Sequence, residues 1–428
     1  MSKIYEKLCA ASNSIKSWES IDFHKAECHV KKLQKRIARA WQNNDVDIVV
    51  FLQHTLIHSF YAKALAVKIV TSNRGKHTCG IDNILWITPK DKYNAIFELN
   101  RRGYKPKQFK PAYIYKSKGS WRKLSIPTMR DRAMQTLYKF ALEPISEITA
   151  DENSYGFRPN RSTRDALIKC YKVLYSLPCP KWILEADIKS CFDNISHEWI
   201  MNNIPLDKFV LQKLIGKNNL DKGIPQGGCI STVICNMVLD RLEAELMAYN
   251  YDLHYVRYAD DFIVIGEDKE ILNKSLRLIR MFLSVRGLNL SDEKTFITHI
   301  NDGFDFLGWN IKSNGDYISV TPSSKNIDSI LQKVECIMIE YIEDNRCKVF
   351  NRLFSVLTGW LNYHMNLVDV SSICDVKNMI FAILQRYRVD NQFFMFVDTL
   401  FCSGNRFPYA HMVSGLSERY NYDEKQSD

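Results

Sequence analysis

The 428-residue chain holds twelve cysteines but no C-x-x-C pair, which sets aside zinc ribbons and thioredoxin-like sites and leaves reduced thiols as the reading. Three of them, Cys191, Cys229 and Cys235, sit inside motif-bearing stretches as small apolar fillers. No apolar run reaches the ~18 residues of a membrane span, and the N-terminus lacks a signal-peptide core. A soluble, cytoplasmic protein with no membrane partner is expected. Acidic excess is also missing. Lys and Arg outnumber Asp and Glu by 58 to 48, a net charge of +10, and that balance suits a polyanionic partner. The length and a 46% hydrophobic fraction allow two or three domains with real cores.

What is present centres on Tyr255–Gly266, where two β-branched and aromatic runs flank Ala259-Asp260-Asp261. This pattern predicts a tight hairpin with acid at its tip. Asp-Asp alone is ordinary turn composition, but a second acid, Asp187, ends another apolar strand at Trp182-Ile183-Leu184-Glu185-Ala186-Asp187. Ser196 follows as a helix N-cap with Glu198 in the first turn. Neighbouring carboxylates repel one another, and a divalent cation with hard oxygen ligands, Mg²⁺ or Mn²⁺, is the usual compensation. An acid at a strand end and an acidic hairpin are the parts of a two-metal phosphoryl-transfer site. Between them Gly223-Ile224-Pro225-Gln226-Gly227-Gly228 reads as a turn whose backbone can approach a ligand closely.

Together these stretches resemble reverse transcriptases, most closely those of bacterial group II introns and their domesticated, defence-associated relatives. Trp121–Arg132 resembles the first fingers block of that family and Ser154–Ser162 the second. Gly287–Thr295 and Phe304–Trp309 resemble the sixth and seventh, so that seven blocks stand in family order across about half the chain. The resemblance implies an α+β right-hand polymerase: fingers, an antiparallel-sheet palm, and a helical N-terminal extension and thumb. It also implies RNA-directed DNA synthesis from dNTPs on an RNA template with a DNA or RNA primer. Asp187, Asp260 and Asp261 are the implied catalytic acids. Two Mg²⁺ ions (or Mn²⁺) are implied on Asp187, Asp260, Asp261 and the backbone oxygen of Ile188. Arg122 is expected at the incoming triphosphate, assisted by Lys116 or Lys118. Phe192 is expected beneath the sugar, excluding a 2′-hydroxyl. Gln226 and Gly227 are expected against the nucleotide, and Lys294 at a phosphate. Arg158, Arg161, Gly308 and Trp309 are expected along primer and template.

In chain order, residues 1–75 are expected to be a helical, RNA-binding extension. Val30, Leu33, Ile37 and Ala40 lie at helical spacing opposite Lys31, Lys32, Lys35, Arg36 and Arg39. Fingers are expected over 76–180, where Ala112–Tyr115 and Arg122–Ile126 pair as a hairpin and basic residues interleave with aromatics. The palm is placed at 181–320. A helical thumb at 321–395 carries Leu357–His364, which resembles the maturase segment of group II intron proteins, and a tail follows over 396–428. No clustered Cys/His ligands follow the thumb, so a zinc-type endonuclease is not expected. Two biological roles fit this reading. One is a free-standing antiphage enzyme copying a structured noncoding RNA; the other is an intron maturase. A non-catalytic RNA-binding scaffold is the remaining class. Oligomeric state is left open.

Overall fold

A computed structural model describes residues 16–116, 120–176, 181–216, 221–315, 317–341, 346–389 and 391–402. The chain divides into two compact units. The first comprises residues up to 162, 186–262 and 273–295; the second comprises 163–185, 263–272 and 296 onward.

In the first unit, helix α1 spans Phe23–Gln42 and is started by Asp22, whose carboxylate accepts from the Lys25 amide at 2.9 Å. Its apolar stripe, Ala26, Val30, Leu33, Ile37 and Ala40, is buried, while Lys31, Lys32, Lys35, Arg36 and Arg39 lie outside that stripe. Helices α2 (Val46–His58) and α3 (Phe60–Ser72) follow, and α4 (Pro89–Glu98) opens with a reciprocal capping box between Thr88 and Asp91. Strands β1 (Lys110–Lys116) and β2 (Ser120–Ile126) form the expected antiparallel hairpin, with Lys110 opposite Ile126 and Lys116 opposite Ser120. Helix α5 (Met129–Thr149) is the hub of this unit. It buries residues nearly all round, and α1, α2 and α3 pack against it. Its N-cap, Thr128, shares the buried Asp131 with the Tyr104 hydroxyl, a contact that ties the segment leading into β1 to the helix start.

Helix α6 (Thr163–Ser176) belongs to the second unit, and strand β3 (Trp182–Asp187) passes from the second unit into the first. Short helices α7 (Cys191–Asn194), α8 (His197–Asn203) and α9 (Lys208–Ile215) come next. Ser196 caps α8 as expected, its hydroxyl accepting from the Trp199 amide at 3.2 Å. Helix α10 (Ser231–Leu239) also packs on α5, and α11 (Leu242–Tyr249) leads to β4 (His254–Tyr258). The turn after β4 opens into β5 (Asp261–Gly266), and α12 (Lys269–Ser284) follows.

In the second unit, β6 (Phe296–His299) runs antiparallel to β3, Trp182 facing His299 and Glu185 facing Phe296. A separate antiparallel sheet joins β7 (Phe304–Phe306), β8 (Trp309–Ser313) and β9 (Ile318–Pro322). Helices α13 (Ser324–Tyr341), α14 (Arg346–His364), α15 (Val370–Arg386) and α16 (Asn391–Cys402) complete it. Asn326 knits α13 to α14, its Oδ1 accepting from Trp360 Nε1 at 2.7 Å and facing His364 Nε2 at 3.1 Å. The α+β class with antiparallel sheets is as expected. Among the described residues no helix is long and apolar enough to cross a membrane.

Candidate active site

Asp187 is the last residue of β3, and its position is locked by backbone pairing on the stretch that follows. Its carbonyl accepts from the Ser291 amide at 2.8 Å, Ile188 bridges to Leu290, and the Lys189 amide donates to the Asn289 carbonyl at 2.9 Å. Ser190 then takes a left-handed conformation (φ 47°), which turns the chain sharply into α7. Asp260 sits in the turn between β4 and β5, after Ala259, which is also left-handed (φ 60°). Asp261 is the first residue of β5. Asp187, Ile188 and Asp260 all line one cleft of about 860 Å³ in the first unit.

Lys294 completes the acidic end. Its ammonium donates to Asp187 Oδ2 at 2.7 Å, and its pKa is raised by that hydrogen bond and by the charges of Asp187, Asp260 and Asp261, against desolvation. One lysine therefore feels all three acids the sequence pointed to. To the same cleft β2 contributes Trp121, Lys123 and Ser125, alternate residues of one strand. Lys189 and Lys222 add two more cations. The cleft lining thus carries both carboxylates and lysines.

Phe192 is half-buried in the cleft wall, and Phe157 stands behind it edge-on, ring centroids 6.3 Å apart. Its carbonyl accepts from the Ile224 amide at 2.7 Å, which seats the Pro225-Gln226-Gly227 turn beside it. Gln226 lines the cleft, its amide nitrogen 3.3 and 3.4 Å from the Asp193 oxygens. Gly227 plays a different part from the one expected. Its φ is 120°, and a β-carbon there would lie 2.9 Å from the Ser125 carbonyl oxygen, so the missing side chain lets the turn lie against β2.

Two other expectations are corrected. Arg158 is not presented to a template: it is 8% exposed, and its guanidinium binds Glu147 and the carbonyls of Asp151 and Ser154. Trp309 is fully buried in the second unit, stacked on Tyr363 at 4.5 Å, and the Gly308 carbonyl accepts from the Ser323 amide. Packing consumes the Arg158 and Trp309 side chains, so neither has a face left for a nucleic acid. Arg161 is exposed. Lys118 lies outside the described residues, as do the side chains of Lys116 and Arg122, whose backbones stand in β1 and β2. Trp121, Lys123, Lys189, Lys222 and Phe157 were missed. For Trp121 and Lys123 the available signal was strand alternation with Ser125.

A divalent cation fits this donor set. Asp187, Asp260 and the Ile188 backbone oxygen are hard oxygen donors, and the Lys294 ammonium on Asp187 shows that the site draws a cation. Among the described residues no group of three or more His, Cys, Asp or Glu side chains surrounds a common metal position. Backbone or substrate oxygens would have to complete the coordination.

Residues 110–311 match the family described as "Reverse transcriptase (RNA-dependent DNA polymerase)", and residues 18–99 match "N-terminal domain of reverse transcriptase". The chain is 28% identical over 336 residues to "Protein YkfC" of Escherichia coli, covering 65% of this chain and 87% of that protein. It is 28% identical over 360 residues to "Group II intron-encoded protein LtrA" of Lactococcus lactis, covering 65% of this chain but 59% of that protein. Among solved structures, telomerase from Candida albicans aligns with 70% of this chain and 64% of its own at 14% identity, with a TM-score of 0.40.

Proposed function

Because this chain belongs to the reverse transcriptase family, the RNA-directed DNA polymerases, we propose that its cleft joins deoxynucleotides to a primer on an RNA template. One observation carries the reading: Asp187 and Asp260 line the same cleft, with Lys294 bound to the first and Lys123 of β2 among the other lining residues. In the reaction the primer 3′-hydroxyl oxygen attacks the α-phosphorus of a dNTP. The bond to the bridging oxygen breaks, and pyrophosphate leaves with its electron pair. Asp187, Asp260 and the Ile188 carbonyl would hold two Mg²⁺ or Mn²⁺ ions, with Asp261 close by. Bound there, these ions would neutralise the triphosphate and lower the pKa of the attacking hydroxyl.

The chain's own residues do the rest. Lys294, held protonated by the acids, places a positive charge beside Asp187 when the cleft is empty and is free to turn to a phosphate when it is filled. Lys123, Lys189 and Lys222 neutralise the triphosphate and primer phosphates. Phe192 closes the wall where the sugar lies, and Gln226 fixes the adjoining turn. The basic residues of α1, set away from its buried stripe, suit a structured RNA.

The RNA partner separates two roles. A free-standing antiphage enzyme copying an associated noncoding RNA is the reading we put first. An intron maturase is the second, and the intron-encoded relative favours it. Sequencing the RNA and cDNA that copurify with the protein distinguishes them. The chemistry is tested by primer extension on an RNA template with Asp187→Asn and Asp260→Asn. Each should lower the rate by more than the ~10²–10³-fold typical of one lost transition-state donor, with RNA affinity kept. Near-normal extension by either variant refutes the assignment.

A further inference from the structure

The largest buried charge in the first unit lies three residues before Asp260 and has no part in the chemistry above. Arg257 is fully buried in β4. Its Nη2 donates to Asp240 Oδ1 at 2.7 Å and lies 3.9 Å from Asp151 Oδ2. Its Nη1 donates to Asn236 Oδ1 at 3.2 Å and to the Ala259 carbonyl at 3.4 Å. Asn236 in turn donates to the Gly156 carbonyl at 2.8 Å. The backbone repeats the connection: the Arg257 amide donates to the Asn153 carbonyl at 2.9 Å, and the Tyr155 amide donates to the Arg257 carbonyl at 2.8 Å.

One of these contacts reaches the turn itself, the Nη1 bond to the Ala259 carbonyl; the others fix Arg257 and the 153–156 stretch beside it. Ala259 is an L-residue held left-handed at φ 60°, a conformation that needs support from its surroundings. The Gly156 backbone lies so close that a β-carbon there would fall 2.2 Å from the Ala259 nitrogen. The turn is therefore pressed by Gly156 on one side and hydrogen-bonded through its carbonyl by Arg257 on another. An apolar side chain could fill the interior, but it could not bond the Ala259 carbonyl and Asn236 while neutralising Asp240.

We infer that Arg257 is a positioning residue: with Asp240, Asn236 and Gly156 it holds the Ala259 turn in its left-handed form and so aims Asp260 into the cleft. The inference rests on the polymerase reading for the task of Asp260. It says nothing of contact between Arg257 and substrate.

Arg257→Lys keeps the charge but loses the two-pronged geometry. Single-turnover primer extension should show a rate constant lower by roughly tenfold or more, as ångström-scale misplacement of a reacting group does. The titrated fraction of active sites should stay near wild type. Mn²⁺ half-saturation, read from the electron paramagnetic resonance of free ion without substrate, should rise several-fold. Ala259→Gly, which relieves the left-handed strain, should restore part of both when combined with Arg257→Lys. A merely structural role predicts the opposite split, fewer active sites with an unchanged rate constant and Mn²⁺ binding, and that result overturns the inference. If Arg257→Lys does not fold, Gly156→Ala decides, since it displaces the turn with the Arg257–Asp240 pair intact; a folded Gly156→Ala with wild-type rate and Mn²⁺ binding also overturns it. If the wild type extends no primer at all, the polymerase reading fails, and the Mn²⁺ measurement still decides the role of Arg257.

Discussion

Arg158 is the place where sequence and structure make opposite quantitative claims. As a template contact its loss would weaken nucleic-acid binding and leave stability alone; as an internal clamp the reverse holds. Consider Arg158→Met, which keeps the aliphatic stem and removes the guanidinium. The ion pair to Glu147 counts for little, about 1 kcal/mol, because the Glu147 side chain is 33% exposed and solvent screens it. The larger loss is at the carbonyls of Asp151 and Ser154, which accept from Nη1 at 3.0 and 2.7 Å. Losing Nη1 leaves the Ser154 carbonyl unpaired, at about 1–3 kcal/mol, while the Asp151 carbonyl keeps the Ser154 amide at 3.2 Å and gives up about 1 kcal/mol. Together the change should cost roughly 3–5 kcal/mol, which at about 2–4 °C per kcal/mol lowers Tm by roughly 10 °C. Thermal unfolding followed by circular dichroism measures this, and RNA binding titrated against salt at low temperature is the companion assay. The slope of log K against log salt should match wild type. If Tm moves by less than about 2 °C and the slope falls by about one unit, Arg158 holds a phosphate and the clamp argument is wrong.

Two further outcomes follow from side chains that packing shapes. Phe192→Val opens the cleft wall in front of Phe157, so the preference for deoxynucleotides over ribonucleotides should fall by roughly 10²-fold, measured by single-nucleotide incorporation opposite one template base; a folded variant that discriminates like wild type makes Phe192 a packing residue. His364 is fully buried, and burial pushes its pKa down to about 4 from an ordinary 6.5. The unfolded chain therefore takes up the proton first. The stability that neutral His364 contributes is whole above pH 6.5 and is lost as pH falls toward 4, on the order of 3 kcal/mol. Urea unfolding of wild type and His364→Gln at about pH 7 and about pH 4.5 should show the smaller pH effect in the variant, and equal effects would refute the assignment.

The acids were legible because their surroundings are simple. Asp187 ends an apolar strand, Asp260 interrupts two β-branched runs, and period-2 patterning exposes both breaks. The α1 stripe, the hairpin pairing and the Ser196 cap were legible for the same reason, since each depends on residues within a few positions. The ion pair of Lys294 with Asp187 joins residues 107 apart, and the spacing of neither stretch encodes it. Only the resemblance to a family brought Lys294 forward.

The misreadings share a physical cause as well. Arg158 and Trp309 are residue types that serve nucleic acids at a surface and interiors when satisfied, and composition does not distinguish the two uses. What distinguishes them is whether partners exist inside. Arg158 finds two carbonyls within seven residues, and Trp309 finds the Tyr363 ring from another element. Arg257 is the same case beside the Asp260 turn: its partners Asn236, Asp240 and Asp151 come from α10, its C-terminal cap and the residue after the cap of α5, all outside β4. A cluster of charged residues around an active site therefore contains two populations, those that meet substrate and those that hold the first group still. Burial with internal hydrogen bonds separates them. By that criterion Asp187, Asp260, Lys294, Lys189 and Lys222, which line the cleft, are the residues proposed to meet substrate, and the buried Arg257, Asp240 and Arg158 are held by internal bonds.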